Sequence, residues 1–383
     1  MRIGILTHNF PRGNNDRQNA GAFVNDIARE LALTNGVSVF TQDENRKSDQ
    51  IGGVKVCYFS GDRDQKLGDL KPWKPADFFS LCLYFINGFR NLKTFLKTNK
   101  VEVNVAMWAF PSGVFAYLAK IFYKVPYVVW CLGSDIYVYS RYPVVGALIK
   151  RVLNSAAVLL ADSPDLASRV TDISGQKCLF LPSASNIEFP DFPIETPKSP
   201  KIKLLMVARM EKIKGPDILL GAVMKLGSLV GNYEIHFVGS GSLLKDLQER
   251  TYQAGLKRVV FFHGNVNSAK EIGALMRRSD WLIIPSRSDS IPLVFSEAMK
   301  CRLPVVVADL PDLKYLVEHY RIGLVFKAGD ILELIKLLRR LPLLAKERNR
   351  FVENTSKAAL DFSIEESANK LFNLLSTANG EQR

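Results

Sequence analysis

The stretch of this sequence richest in chemistry is Pro285-Ser286-Arg287-Ser288-Asp289-Ser290-Ile291-Pro292-Leu293-Val294-Phe295-Ser296-Glu297-Ala298. It follows an apolar run that reads as a strand, and Pro292 suits the first turn of a helix. A loop carboxylate, Asp289, and a helical carboxylate, Glu297, then stand eight positions apart. The free N–H groups of the helix start could hold an anion. Glu297, more than a turn further in, offers an acceptor-only carboxylate suited to paired hydroxyls such as those of a ribose. The combination fits a nucleotide. Other chemistries are poorly supplied. The four histidines (His8, His236, His263, His319) have no metal-ligand spacing, and the five cysteines (Cys57, Cys82, Cys131, Cys178, Cys301) form no C-x-x-C pair. Neither a zinc site nor a disulfide framework is indicated. Gly239-Ser240-Gly241 lacks the third glycine of a dinucleotide fingerprint, which disfavours a redox enzyme.

The elements that must position these residues repeat along the chain. Apolar runs rich in Val, Ile and Leu at 3–6, 37–40, 54–59, 103–108, 127–131 and 158–161 read as strands, with helix-length intervals such as 20–33 and 78–97 between them. Continuous apolar strands alternating with helices mean a parallel sheet covered on both faces. After a segment at 187–201 with four prolines, which has the composition of a linker, the pattern restarts at 204–208, 233–238, 259–262, 281–285, 305–308 and 324–326. Two tandem Rossmann-like, doubly wound α/β domains follow, 1–186 and 202–362, with an amphipathic helix at 363–383. In such sheets ligands bind outside the carboxyl ends of the strands, where Asp289 and Glu297 lie.

The residues PSRSDSIPLVFSEAMKCRLPVVVAD resemble the signature of the retaining glycosyltransferases of family 4, the glycogen-synthase-like group with the GT-B fold of two Rossmann-like domains facing a cleft. Arg209 and Lys214-Gly215, then Val238-Gly239-Ser240-Gly241-Ser242, then His263-Gly264-Asn265-Val266 follow in the family's order, and Gly21 and Leu132-Gly133-Ser134-Asp135 complete it in the first domain. The resemblance implies that Arg209 and Lys214 grip the diphosphate of a nucleotide-sugar, that Glu297 binds its ribose and that Asp289 contacts the transferred sugar. Backbone groups of Ser290, Ile291, Pro292 and Leu293 would meet sugar and phosphate, and Gly264, Asn265 and Val266 the base. Gly241 would lie in the donor loop, Gly21 would bring N–H groups toward the phosphates, and Asp135, of the Gly-x-Asp segment whose preceding position lies near the reacting sugar, would join Asp289, Arg209 and Lys214 as catalytic residues. A guanidinium and an ammonium can neutralise a diphosphate that gains charge as the glycosidic bond breaks, so neither a metal nor another cofactor is expected. The sequence departs from the pattern at Asp289 for the commoner Glu, Ser290 and Arg302 for Gly, and Leu132 for a His. Asp62-Arg63-Asp64 has the D-x-D spacing of the metal site in the other large glycosyltransferase fold, but without that context it reads as a solvated turn.

The implied activity is transfer of a sugar from a UDP- or GDP-sugar to a glycan or lipid-linked acceptor held by the first domain, in cell-envelope polysaccharide or glycolipid synthesis. A nucleotide-sugar epimerase on the same fold and a non-catalytic nucleotide-sugar-binding subunit are the alternatives. The chain carries 51 Lys plus Arg against 38 Asp plus Glu, and residues 63–100 hold eight cations, three acids and interleaved aromatics. Such an element suits an anionic membrane surface rather than nucleic acid, for which no recognisable module is present. No apolar run reaches the ~18–20 residues of a spanning helix. The start, MRIGILTHNF, has no signal-peptide pattern, so the expected place is the cytoplasm, at most peripheral on the inner membrane face.

Overall fold

The computed structural model describes residues 1–11, 21–43, 48–60, 75–184, 201–266 and 268–380, with the side chains of 75–78 left out. The expected linker lies outside the described residues except for Lys201, as do Asp62-Arg63-Asp64 and positions 63–74 of the basic segment. The chain forms two compact units, Met1–Pro182 with Ile364–Arg383, and Ser183–Ser363.

The strands of the first unit are β1 (Arg2–Leu6), β2 (Gly36–Gln42), β3 (Ser48–Ile51), β4 (Val54–Phe59), β5 (Val103–Met107), β6 (Tyr127–Cys131), β7 (Val158–Ala161) and β8 (Cys178–Phe180). They form one sheet in the order β3-β4-β2-β1-β5-β6-β7-β8, parallel except for β3 against β4. Its helices are α1 (Ala22–Ala32), α2 (Pro75–Thr98), α3 (Ser112–Tyr123), α4 (Ser134–Tyr137), α5 (Pro143–Ser155) and α6 (Pro164–Ser174). The central strands β5 and β6 are buried at every position, which is why they read as unbroken apolar runs. One face of the sheet is sealed by α2, α3, α5 and α6 through Phe95, Phe115, Val152 and Val170.

The second unit holds β9 (Ile202–Val207), β10 (Tyr233–Val238), β11 (Val260–Phe262), β12 (Trp281–Ile284), β13 (Val305–Ala308) and β14 (Gly323–Phe326). Their order is β11-β10-β9-β12-β13-β14, all parallel. Helices α7 (Pro216–Met224), α8 (Leu244–Gln253), α9 (Ala269–Arg277), α10 (Leu293–Lys300), α11 (Pro311–Tyr320), α12 (Ile331–Arg340) and α13 (Ala345–Asp361) accompany it. The last helix, α14 (Ile364–Gly380), belongs to the first unit, where it packs on α1 and the Ser367 hydroxyl donates to the Pro182 carbonyl at 3.3 Å.

Sequence order and sheet order part company at one place that matters. β12 follows β11 in the chain but pairs with β9, so the loops after β9 and β12 become neighbours at the carboxyl edge of the sheet. This reversal is the topological switch point where open α/β sheets place ligands.

Candidate active site

The loop after β9 closes with a short 3₁₀ turn, Lys212–Lys214, and Gly215 in the left-handed region at φ 72°. A Cβ on Gly215 would come within 2.0 Å of the Pro285 carbonyl, so glycine is required for the loops after β9 and β12 to touch. They are then clamped. Arg287 meets Asp217 with both guanidinium nitrogens at 2.8 and 2.7 Å, donates to the Lys212 carbonyl at 2.6 Å, and its backbone N–H reaches the Ile213 carbonyl at 2.8 Å. Burial pushes the Asp217 carboxyl upward, but the bonds and charge of Arg287 outweigh it and leave it below its ordinary value.

This clamp brings two of the expected residues together. The Lys214 ammonium donates to Asp289 Oδ2 at 2.6 Å, and the Ser286 hydroxyl donates to the same oxygen at 3.2 Å. The two charged side chains keep 21% and 14% of their surface open, so they are neither solvated nor sealed. Asp289 is thus tied to Lys214 and Ser286 rather than spent as a helix cap. Pro292 is itself the N-cap of α10, with an extended ψ of 144°, so the helix begins one residue later than expected, at Leu293. Glu297 is the fifth residue of α10 and half-buried.

The neighbouring loops are tied to the same edge. Glu211 accepts from the Ser242 backbone at 2.8 Å and its hydroxyl at 2.6 Å, bonds that hold its carboxyl below the usual range. Gly241 lies so close to Met210 that a Cβ would sit 2.6–2.8 Å from its backbone atoms. The Gly239 N–H donates to the Gly264 carbonyl at 2.7 Å, which fixes the segment carrying Gly264, Asn265 and Val266. Arg209 is exposed beside this loop. The structure therefore gathers Arg209, Lys214, Gly241, Gly264 to Val266, Asp289 to Leu293 and Glu297 around the carboxyl ends of β9 to β12. Within β10, His236 Nδ1 lies 3.0 Å from Nε2 of His263, the residue after β11, and burial together with the second imidazole lowers the His236 pKa to about 4.

Gly21 and Asp135 belong to the first unit. Gly21 is the N-cap of α1, and a Cβ there would meet the Asn9 carbonyl at 2.8 Å. Asp135, in the first turn of α4, is fully buried. Desolvation raises its pKa to about 6 against hydrogen bonds from the backbone N–H of Ala109 (2.7 Å) and from Asp135, Cys131 and Ile136. It acts on the loop after β5, where Trp108 takes a positive φ of 70° and stacks edge-on with His8 at 4.5 Å, and it presents nothing to solvent. The expected catalytic Asp135 is thus sealed in this structure and holds the Ala109 backbone. Sequence reasoning overlooked Ser286, Arg287 with Asp217, Glu211 and His8. The 2.8 Å and 2.7 Å Arg287–Asp217 pair had no local signal, since 70 positions separate its members.

The family model described as "Glycosyl transferases group 1" matches residues 189–358. An uncharacterized glycosyltransferase of Methanocaldococcus jannaschii is 21% identical over 74% of this chain and 77% of that relative. The putative teichuronic acid biosynthesis glycosyltransferase TuaC of Bacillus subtilis is 28% identical over 55% of this chain and 54% of its own length. Among solved structures, Anabaena HepE in complex with UDP superposes with a TM-score of 0.73 at 18% identity, covering 98% of this chain and 100% of that one. Two parallel-sheet α/β units that superpose over nearly the whole chain define the GT-B fold. The match over 189–358 takes in most of the second unit.

Proposed function

We propose that this protein is a retaining, metal-independent hexosyltransferase that moves a sugar from a UDP- or GDP-sugar to a glycan or lipid-linked acceptor of cell-envelope polysaccharide or glycolipid synthesis. The observation that carries the reading is the Lys214–Asp289 pair at 2.6 Å, a cation and a carboxylate side by side at the switch point of the second sheet. An ammonium has three donors, so Lys214 can keep Asp289 and still bind a β-phosphate oxygen. Arg209 adds a planar cation from the same loop, and the two stabilise the charge that develops on the leaving diphosphate.

In this reading Asp289 accepts hydrogen bonds from the sugar hydroxyls, and its bond to Lys214 fixes where the sugar sits relative to the phosphate. Glu297 takes the ribose hydroxyls, Gly264 to Val266 line the base, and Gly241 and the backbone of 290–293 approach phosphate and sugar. The leaving phosphate receives the proton of the acceptor hydroxyl, so no side-chain base is needed. The first unit takes the acceptor and Gly21 offers N–H groups to the donor. Asp135 is a positioning residue acting through the Ala109 N–H. The complex of HepE with UDP supports a nucleotide donor, and the likeness to TuaC, a putative teichuronic acid biosynthesis glycosyltransferase, supports a polysaccharide acceptor.

The test is a thermal-shift series with UDP, GDP, ADP and CMP on the parent, Lys214→Ala and Glu297→Ala. A nucleotide at ~100 times its Kd adds about 2.7 kcal/mol and raises Tm. One nucleotide stabilising the parent and neither variant is the expected result. The donor site fails if none stabilises well-folded parent protein at millimolar concentration.

A further inference from the structure

The first unit has a second chemical feature, on the helical layer that covers one face of its sheet. From Phe79 to the end of α2, and throughout α3 and α5, there is no Asp or Glu. The same stretches, with Lys124 capping α3, carry Arg90, Lys93, Lys97, Lys120, Lys124, Lys150 and Arg151. Lys97 and Lys120 stand in the last turns of α2 and α3, Lys124 caps α3, and the others lie in the carboxyl halves of α2 and α5. All three helices return antiparallel to the parallel strands, so the cations collect at the amino edge of the sheet, opposite to the strand ends that build loops for a ligand.

A single cation at a helix C-terminus complements the macrodipole and needs no further explanation. The accompanying apolar side chains do. Phe79 is 62% exposed, Ile86 46%, Ile121 44% and Phe122 59%. On α2, Phe79, Ile86, Lys93 and Lys97 fall on one helical stripe, apolar at its start and basic at its end. Between α3 and α5 lies a cavity of about 410 Å³ lined by Tyr117, Lys120, Ile121, Lys124, Arg151 and Ser155. Lys120 is tied to the Ser155 carbonyl at 2.7 Å and Arg151 to the Tyr117 hydroxyl at 2.8 Å. Among the described residues no carboxylate neutralises this cavity.

We infer that the outer face of α2, α3 and α5 docks on the anionic leaflet of a membrane, with the cavity taking a phosphate headgroup and Ile121 and Phe122 entering the headgroup layer. Charge complementarity names the occupant. An acid-free basic field attracts anionic lipid, and exposed aromatic and aliphatic side chains beside it gain by leaving water, which a soluble polyanion does not offer. No described helix is long and apolar enough to cross a bilayer, so the attachment is peripheral and reversible. The inference extends the basic segment noted at 63–100 to α3 and α5, and it stands independently of the donor site.

Co-sedimentation of the full chain with phosphatidylcholine vesicles, with and without a third of phosphatidylglycerol, tests it. The parent is expected to bind the anionic vesicles at least about tenfold better, and less as salt rises. Each cation near the surface contributes roughly fivefold, so Lys120→Ala/Lys124→Ala/Arg151→Ala is expected to lose on the order of a hundredfold. The exposed pair Lys124→Ala/Arg151→Ala, losing about 25-fold, serves if the triple variant melts early. Lys336→Ala/Arg339→Ala/Arg340→Ala in α12 removes the same charge elsewhere and is expected to stay within about threefold of the parent. Equal binding to both vesicle types overturns the proposal. So does equal loss in the two triple variants, or a parent that binds polyuridylate through the same cations more tightly than it binds anionic vesicles.

Discussion

Asp135 and Asp289 each follow a parallel strand by a few residues, Asp135 in the first turn of α4 and Asp289 in the loop after β12, yet the folds use them differently. Asp135 is fully buried, meets no cation, directs its hydrogen bonds to backbone and thiol, and has its pKa raised to about 6. Asp289 keeps 14% of its side chain open and faces an ammonium at 2.6 Å. A sealed carboxylate without a counter-ion organises a loop, whereas a partly open one beside a cation can exchange partners with a ligand. The partner and the exposure, rather than the position after a strand, distinguish the two.

The largest expected effect is on turnover. Lys214→Ala should lower kcat by roughly 10²–10³-fold, as loss of one transition-state charge does, while Tm moves little because the pair is near the surface. Steady-state kinetics beside a melting curve would separate these. Asp135→Asn should do the reverse, lowering the first unit's stability more than its activity per folded molecule. If Lys214→Ala unfolds the second unit and Asp135→Asn abolishes turnover in a fully folded protein, the contrast between the two acids is wrong.

A second test sharpens the picture of the first unit through pH. Asp135 holds its proton more tightly folded than unfolded, with a pKa of about 6 against an ordinary 3.8. Its contribution to stability is full below about 4 and is lost as pH rises through about 6. His8 behaves oppositely: burial lowers its pKa to about 4 from 6.5, so its contribution is full above about 6.5 and is lost as pH falls toward 4. Each amounts to about 3 kcal/mol at most, and in the parent the opposed slopes largely cancel. Denaturant unfolding from pH 4 to pH 7 should therefore show His8→Asn losing stability relative to the parent as pH rises, and Asp135→Asn gaining it. Parallel curves for all three proteins would remove the burial argument.

The sheets, the tandem organisation and the stretch from Asp289 to Glu297 were legible in the sequence because each rests on local pattern, an apolar run or a short spacing. Strand ends drifted by one or two residues where backbone geometry intervenes. The run expected to reach Pro285 stops at Ile284, before a residue that cannot donate to a ladder, and that expected to reach Trp108 stops at Met107, before a positive φ. β3 is polar except for Ile51, and β8 is apolar but only three residues long, so neither stands out. The pairing of Lys214 with Asp289 depends on β9 lying beside β12, and sheet order is not written in the chain between them. Burial of Asp135 is likewise set by surrounding elements, so a loop acid in sequence gave no sign of being sealed.

Arg287 offers a smaller effect that bears on how the second unit holds its open carboxylate. Arg287→Ala removes the two-pronged contact with Asp217 and the bond to the Lys212 carbonyl, leaving the backbone bond to Ile213 and the close approach at Gly215. The loops should stay adjacent but lose register, lowering kcat roughly 10–100-fold with the nucleotide Kd nearly unchanged. Asp217→Asn should reproduce part of the loss, and Arg287→Lys should restore little because an ammonium cannot match the planar fork. A double variant no worse than Arg287→Ala alone would show that the pair acts as one unit.

The smallest effect expected is at Glu211, which is bonded to Ser242 but open to solvent. Its carboxylate stands beside Arg209, so it can hold that loop or compete with a diphosphate for the guanidinium. Glu211→Gln keeps an acceptor for the Ser242 N–H and removes the charge. If Glu211 only orders the loop, the variant should stay within about threefold of the parent in KM. A distinctly lower KM for the donor would instead show that Glu211 opposes the incoming phosphate. The second unit would then hold a carboxylate that restrains donor binding, alongside Asp289, the one proposed to meet the sugar.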